Sequence, residues 1–202
     1  MPESRIEPGQ SKNRLDCRGL RFLSSWQPMS EIIVHTDGGC LGNPGPGAWA
    51  YVMRYDSRLK EASGFQPDTT NNRMELQAVI EALGYLSSRR RHVAAKLAQS
   101  PHDEAKQGKA APQWIEAPIR VFTDSQYVKN GITSWLPSWK ARGWKTADKK
   151  PVKNQELWME LDALNQELKP SFHWVEGHAG VEDNERCDSL VRAEMEKGKA
   201  GT

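Results

Sequence analysis

The stretch EIIVHTDGGCLGNPGPGAWAYVMRY (31–55) holds two apolar segments separated by a turn rich in glycine and proline. EIIVHT (31–36) is β-branched and apolar, which is typical of a strand, and we expect that strand to end at Asp37. AWAYVMRY (48–55) and KEASGF (60–65) predict the next two strands. The chain therefore begins its regular structure with an antiparallel meander of three strands.

Downstream of this meander, predicted strands alternate with predicted helices. The helices are expected over 72–86, 125–133, 135–143, 154–168 and 184–196, and the strands over IRVFT (119–123) and FHWVE (172–176). Strands that first cluster and then alternate with helices indicate an α/β fold. We expect a mixed five-stranded sheet with helices on both faces.

The 202 residues suit one domain with tails. Residues 1–30 are polar and predict a disordered tail, Met29 being a possible alternative start, and 31–198 form the domain. Residues 87–117 are predicted to be a long insertion loop. Its RRRH run (89–92) is more typical of a solvated face than of a binding site.

Composition excludes several classes of protein. The net charge of +2 does not support binding through a generally cationic surface, so affinity for nucleic acid would need a local patch. Three scattered cysteines indicate neither a disulfide framework nor a zinc site. No apolar run is long enough for a membrane span. We expect a cytoplasmic protein with reduced thiols.

Two aspartates follow predicted strands: Asp37 after the first and Asp124 after the fourth. If these strands are parallel neighbours, both carboxylates lie side by side at the edge where open sheets bind ligands. The alternative is that each aspartate simply begins a turn.

Two further acids lie on predicted packing faces of helices. Glu75 aligns with Val79, Ala82 and Leu86, and a charge there is costly unless it is paired or binds metal. The alternative is a capping box with Asn72 as N-cap. Asp188 shares a face with residues 184, 191 and 195, and its alternative is a surface aspartate at a helix edge.

Four carboxylates that meet at one place would repel one another unless cations were bound between them. Hard oxygen ligands select Mg²⁺ or Mn²⁺ rather than zinc. Two such ions roughly 3.5–4 Å apart form a clamp for in-line phosphodiester displacement.

His178 lies between Gly177 and Gly180, on the loop before the last predicted helix. A lone histidine is usually structural. This one, however, is expected near the acidic strand ends, where its imidazole would relay a proton from the attacking water or loosen the product.

The segment WLPSWKARGWKTADKKPVK (135–153), the basic segment, carries six positive residues and one negative residue. Such a patch would follow a phosphate backbone. Its tryptophans are also spaced to pack partly inward, which leaves the lysines unexplained unless they grip a duplex. Trp49, Trp158 and Trp174 are expected in the core.

Five sequence blocks resemble the bacterial ribonuclease H type 1 family, in its order: TDGGCLGNPGPGAWA, TTNNRMELQA, FTDSQYVKNGI, GWKTADKKPVKN and VEGHAGVEDNERCD. The resemblance covers about residues 31–196. It implies a ribonuclease H-like fold and a monomeric endonuclease that cuts the RNA strand of RNA–DNA hybrids, leaving 5′-phosphate and 3′-hydroxyl ends. One or two Mg²⁺ ions (Mn²⁺ being possible) would be held in a two-metal-ion mechanism.

The resemblance also implies roles for individual residues. Catalytic and metal-binding acids are Asp37, Glu75, Asp124 and Asp188, with His178 as catalytic histidine. Substrate-binding residues are Cys40, Asn43, Thr70, Asn71, Asn72, Gln126, Trp135, Trp139, Lys140, Arg142, Trp144, Lys145, Lys149, Lys150 and Asn184.

Two departures from the family pattern stand out. Residues 87–117 are longer than the usual connection, and Asp68 stands where relatives often have a basic residue, which would weaken binding of the DNA strand. Two other functions stay open: a hybrid-binding protein without catalysis, and a metal nuclease of the same fold that acts on DNA.

Overall fold

The computed structural model describes residues 30–99 and 111–200, and its centre is a mixed five-stranded sheet. The strands are β1 (Ile32–Cys40), β2 (Gly45–Tyr55), β3 (Arg58–Thr69), β4 (Ile119–Thr123) and β5 (Ser171–Trp174), in the order β3-β2-β1-β4-β5. The first three strands are antiparallel, whereas β4 runs parallel to β1 and β5 parallel to β4. The predicted sheet and its meander are confirmed.

The helices occur in the predicted order along the chain. They are α1 (Asn71–Gln99), α2 (Gln126–Asn130), a π-helical turn (Gly131–Trp135), α3 (Leu136–Ala141), α4 (Gln155–Leu168) and α5 (Glu182–Ala200). A short 3₁₀ turn (Gln113–Ile115) precedes β4. Among the described residues, no helix is both long enough and apolar enough to cross a bilayer.

The two faces of the sheet are covered by different helices, as expected. Leu76, Val79 and Leu83 of α1 belong to the main core cluster together with Val34 of β1 and Val121 of β4. On the other face, a smaller cluster joins residues 191 and 195 of α5 to residues 48 and 50 of β2. The central strands are thus buried on both sides, which fixes their register.

Strand β1 does not end at Asp37, so that prediction is wrong. The parallel pairing with β4 stops at Thr36 and Thr123, but the antiparallel pairing with β2 continues to Cys40 opposite Gly47. Asp37 is therefore held inside a strand. It nevertheless lies one residue beyond the last parallel pair, as Asp124 does, so the two aspartates occupy equivalent positions.

The predicted loop over 87–117 is wrong in its first part, because α1 continues to Gln99. Residues 87–99 are rich in arginine and alanine, which favour helix, although they lack an apolar stripe. Arg90 turns inward and donates a hydrogen bond of 2.6 Å to the carbonyl of Ala117. Residues 100–110, and the tail except for Ser30, lie outside the described residues.

The predicted helices at 125–133 and 135–143 form one helical stretch that includes a π-turn and ends at Ala141. A Cβ on Gly131 would lie 1.9 Å from the ring of Trp158, so glycine is required where the helix crosses this ring. Trp158 is fully buried and Trp49 packs against the core, as expected. Trp174 is 40% exposed and not a core residue, because it ends β5 at the edge of the sheet.

Candidate active site

The sheet places Asp37 and Asp124 next to each other at the carboxyl ends of its two central parallel strands. The carboxylate of Asp124 also accepts a hydrogen bond of 3.3 Å from the side-chain amide of Asn184. Gly177 faces the same carboxylate, since a Cβ at that position would lie 3.0 Å from Oδ2. The loop between β5 and α5 therefore passes directly over Asp124.

Helix α1 brings Glu75 to this place through a close contact with β1. A Cβ on Gly38 would lie 2.2 Å from the carbonyl carbon of Met74 and 2.4 Å from the backbone nitrogen of Glu75. Only glycine permits this approach. It sets the first turn of the helix directly against the strand that carries Asp37.

The carboxylate of Glu75 is held by side chains and not by a capping box. It accepts hydrogen bonds from the amide of Asn71 (2.8 Å) and the hydroxyl of Ser125 (2.5 Å). Because α1 begins at Asn71, Asn72 lies inside the first turn and is not the N-cap, so that alternative is wrong. Ser125 is itself the N-cap of α2, where it accepts from the backbone of Val128.

The pKa values show that these acids lie within reach of one another's charge. Burial, followed by the charges of Asp124 and Asp188, raises the pKa of Asp37 to about 6, against the hydrogen bond from Gly38 and the charge of His178. Burial likewise raises the pKa of Glu75 to about 7, with contributions from Asp124 and Asp37, while the bonds from residues 125 and 71 oppose it. Acids from four separate segments thus share one electrostatic environment.

Asp188 completes the set from the rim. Its face of α5 carries Asn184, Val191 and Met195, which are buried, while Asp188 is partly exposed and paired with Arg192 one turn later. The Oδ1 atom of Asn184 is buried and has no hydrogen-bond partner among residues 30–99 and 111–200.

His178 stands above the acids on a strained loop. Its backbone adopts a left-handed conformation, with φ of 57°. The side chain is 74% exposed, and its Nδ1 lies 4.0 Å from a carboxylate oxygen of Asp188. The imidazole is therefore free to meet solvent and ligand at the edge of the acidic cluster.

The side chains of the four acids are not arranged as a ready-made metal site. Within the described part of the chain, no group of three or more His, Cys, Asp or Glu side chains is arranged to hold a metal. The reason is local: Asp188 is turned toward Arg192, and Glu75 toward Ser125 and Asn71. The donor chemistry nevertheless fits a hard divalent cation, since the ligands are carboxylates and the pKa values of two of them are raised by burial and by the charges of the other acids.

The predicted groove-binding residues lie beside this cluster. The Cys40 thiol is within hydrogen-bonding distance of the carbonyls of Gly42, Gly45 and Thr69, and Asn43 accepts a bond of 3.4 Å from the backbone of Asn71. The turn after β1 is thereby tied to the start of α1, which Thr70 precedes. Asn72 and Gln126 are exposed on the same side.

In the basic segment, the tryptophans form its packed base. Trp135 contacts Trp139 with ring centroids 5.5 Å apart, and Trp139 contacts Trp158 at 5.5 Å. Trp144 packs against the core, and α2 contributes Tyr127, whose hydroxyl accepts a hydrogen bond from Trp158. The six positive residues of the segment are all exposed: Lys140, Arg142, Lys145, Lys149, Lys150 and Lys153.

Lys140 differs from the other cations in this segment. Its ammonium pairs with Asp162 of α4 at 2.7 Å, so it stabilises the base of the segment. Arg142 donates a hydrogen bond of 3.3 Å to the carbonyl of Lys145.

Two residues at the site were missed by sequence reasoning. Ser125 binds Glu75, and its signal was a serine at an N-cap directly after a strand-end aspartate. Arg192 binds Asp188, and its signal was the i,i+4 spacing of opposite charges.

The fold and this acidic cluster define a nuclease of the phosphodiester hydrolase class. The chain matches the family model of RNase H over residues 29–99 and 103–196. It belongs to the ribonuclease H family, whose members are endoribonucleases and generally use divalent metal ions.

The relatives agree with this assignment and with the resemblance stated for the sequence. The chain is 47% identical to ribonuclease H of Cupriavidus necator, over 83% of this chain and 97% of that one. It is 46% identical to ribonuclease H of Agrobacterium fabrum, over 85% and 99%.

Solved structures show the same fold. LC9-RNase H1, described as a type 1 RNase H with the type 2 active-site motif, matches with a TM-score of 0.61 and 28% identity, over 84% of this chain and 74% of that one. LC11-RNase H1, solved in complex with an RNA/DNA hybrid, matches with a TM-score of 0.53 and 24% identity, over 83% and 99%.

Proposed function

We propose that this protein hydrolyses the RNA strand of RNA–DNA hybrids as an endonuclease, leaving 5′-phosphate and 3′-hydroxyl ends. The observation that carries the proposal is the convergence of Asp37, Glu75, Asp124 and Asp188 from four segments of chain into one electrostatic cluster. Similarity to bacterial relatives supports action in the cytoplasm, and we propose a monomer.

One or two Mg²⁺ ions, with Mn²⁺ as the alternative, would be held by these four carboxylates. When bound, such ions lower the pKa of a water molecule and neutralise charge on the departing oxygen. Asp188 and Glu75 would be ligands of the ion together with Asp37 and Asp124, while Arg192 and Ser125 pair with their carboxylates in this structure.

The other residues of the site would orient the acids and move a proton. Asn184 holds the carboxylate of Asp124 through its amide. His178 stands at the exposed edge beside Asp188, where an imidazole can accept the proton of the attacking water or release the product. Its left-handed backbone and glycine neighbours place it on a loop rather than in the core.

Substrate selection would depend on the side chains around the turn after β1. Cys40, Asn43, Thr70, Asn71, Asn72 and Gln126 would line the minor groove and the adjacent phosphate, and amides there can donate to and accept from a 2′-hydroxyl. The basic segment would hold the DNA strand, with Trp135 beside a sugar and the exposed lysines at phosphates.

The direct test is cleavage of a hybrid labelled on its RNA strand, in Mg²⁺ and in EDTA. We expect cut RNA bearing 5′-phosphate in Mg²⁺ and intact RNA in EDTA. Intact RNA in both reactions, with the hybrid bound, would favour a binding protein without catalysis. Duplex DNA and duplex RNA are the control substrates, and faster cleavage of duplex DNA would favour a DNA nuclease.

A further inference from the structure

Trp174 makes an unusual contact at the end of β5, to the backbone of Asp124. Its indole nitrogen donates a hydrogen bond of 3.0 Å to the carbonyl oxygen of Asp124. The backbone nitrogen of the next residue, Val175, donates a bond of 3.1 Å to the carbonyl of Thr123. Both carbonyls that flank the α-carbon of Asp124 are therefore held from β5.

This side-chain bond extends the sheet by one step. The parallel pairing of β4 with β5 ends at Thr123 opposite Trp174, so the carbonyl of Asp124 lies beyond the ladder. The chain then turns into the loop that carries His178, and the indole N–H supplies the donor for Asp124. Asn184 holds the carboxylate of the same residue.

The indole ring is not held in place by burial alone. It is 40% exposed, and the ammonium of Lys129 on α2 lies 5.4 Å from its ring centroid. A cation over the face of an indole attracts it. Because α2 begins two residues after Asp124, the contacts Lys129–Trp174–Asp124 link this short helix back to the strand end.

We propose that Trp174 is a positioning residue, which fixes the peptide of Asp124 and thereby aims its carboxylate at the site shared with Asp37. This inference rests on the proposed function, in which Asp124 is a metal ligand. Reacting groups must be held within roughly 0.5 Å of their working geometry. A strand end with a free carbonyl would not hold Asp124 that closely.

The test is Trp174→Phe, which keeps an aromatic ring under Lys129 and removes the N–H donor. The loss of one hydrogen bond predicts a fall in kcat of about 3- to 10-fold, with KM for the hybrid within about twofold. We also expect the Mg²⁺ concentration that gives half of the metal-induced rise in Tm to increase by about the same factor. The Tm in EDTA should change by about 2 °C or less.

Trp114→Phe is the matched control. Trp114 lies beside Ile32, at the opposite end of β1 from Asp37, and the same substitution there should leave kcat, KM and the Mg²⁺ response unchanged. If Trp174→Phe folds poorly, benzothienylalanine at position 174 keeps the shape of the indole and replaces only its N–H with sulfur. The same shifts are expected from it.

Three outcomes would overturn the inference. An unchanged kcat together with an unchanged Mg²⁺ response would show that the bond does not aim Asp124. A raised KM with unchanged kcat would make the exposed indole a substrate contact instead. If Mg²⁺ did not raise the Tm of the wild type at all, Asp124 would not be a metal ligand. Failure of the wild type to cut hybrid would contradict the proposed function, whereas the Mg²⁺ response would still decide the role of Trp174.

Discussion

The acidic cluster and the basic segment both concentrate charge, but they relate charge to stability in opposite ways. In the cluster, the carboxylates are partly buried, and the charges of neighbouring acids help to raise the pKa values of Asp37 and Glu75. In the basic segment, the charged groups are exposed, while the packing is provided by Trp139 and Trp158 beneath them. In the acidic cluster, the residues proposed to bind metal are also the ones that lower the stability of the fold. In the basic segment, the charged residues are proposed to bind the substrate, and the tryptophans stabilise the fold.

Attractive ion pairs elsewhere in the fold offset the repulsion among the acids of the cluster. Arg54 holds Asp183 of α5 with hydrogen bonds of 2.7 Å from both Nε and Nη2, and Arg186 of α5 holds Glu61 at 2.9 Å. Such bidentate pairs anchor α5 on the meander and keep it over the sheet. Charge is thus compensated in the anchoring contacts and left in excess where the ion is proposed to bind.

The largest expected effect distinguishes acids of the cluster, which repel one another, from acids that are paired with arginine. Asp37→Asn and Asp124→Asn should each lower kcat by about 100-fold or more, because each removes a charged ligand without changing shape. Metal-free stability should hold or rise by about 1 kcal/mol, since crowded like charges are relieved. Urea unfolding in EDTA and single-turnover cleavage of the hybrid measure the two properties.

Asp183→Asn is the matched control for that substitution. It breaks a pair with Arg54 and not a repulsion, so it should lower the free energy of unfolding by about 1 kcal/mol and leave most of the activity. If both Asp37→Asn and Asp124→Asn destabilise the metal-free protein as Asp183→Asn does, the two acids are structural and the contrast between the regions is lost.

A second expected effect concerns pH in the absence of metal. The folded pKa values of Asp37, about 6, and Glu75, about 7, lie above the ordinary values of 3.8 and 4.5, so the folded state binds these protons more tightly than the unfolded state. Their penalty is fully present at pH 8, begins to fall as the pH passes below the folded pKa values, and is gone only below the ordinary values. By linkage each lowers the free energy of unfolding by roughly 3 kcal/mol at pH 8. An asparagine at position 37 recovers only part of this, because its amide is still a buried polar group.

The measurement is Tm in EDTA from pH 8 to pH 5, for the wild type and for Asp37→Asn. Wild-type Tm should rise as the pH falls, and the rise should be smaller in the variant. His35 acts in the opposite sense below its ordinary pKa of 6.5, because burial lowers its pKa, and the comparison with the variant cancels that contribution. Parallel profiles for the two proteins would show that Asp37 carries no raised pKa.

Much of the site could be predicted because helical and strand periodicity place side chains on faces. Glu75 and Asp188 were found as acids on packing faces, and Asp124 as the residue after a buried strand. The contacts that hold them were not found. Ser125 and the indole of Trp174 contact residues on other segments of the chain, and periodicity along one segment does not report which neighbour it meets. Arg192 lies on the same helix as Asp188, and the i,i+4 spacing of these opposite charges is visible in the sequence.

Errors in the fold have similar causes. The strand was predicted to end at Asp37 because glycines follow it, but β1 has two neighbours that end at different points, and its pairing with β2 continues through these glycines to Cys40. The second half of α1 is mostly exposed beyond Ser87, so it has helix-forming residues but no apolar stripe to signal them. Trp174 was expected in the core because it is a large apolar residue in a predicted strand. The sequence does not show that this strand lies at the edge of the sheet, where a side chain can stay exposed.

The smallest expected effect tests the other side of the comparison, where function and packing are separate. Lys149→Gln with Lys150→Gln should weaken hybrid binding by about 3- to 10-fold at low salt and reduce the salt slope by about 1–2, because two phosphate contacts are lost. Tm and the kcat at saturating hybrid should stay unchanged, since neither lysine is part of the tryptophan base.

Lys140→Gln is the control: its ammonium already pairs with Asp162, so it should change the salt slope less and Tm more. An unchanged slope in the double variant would remove this segment from the nucleic-acid interface. A fall in its Tm would mean that the lysines, like the acids, are bound up with the stability of the fold.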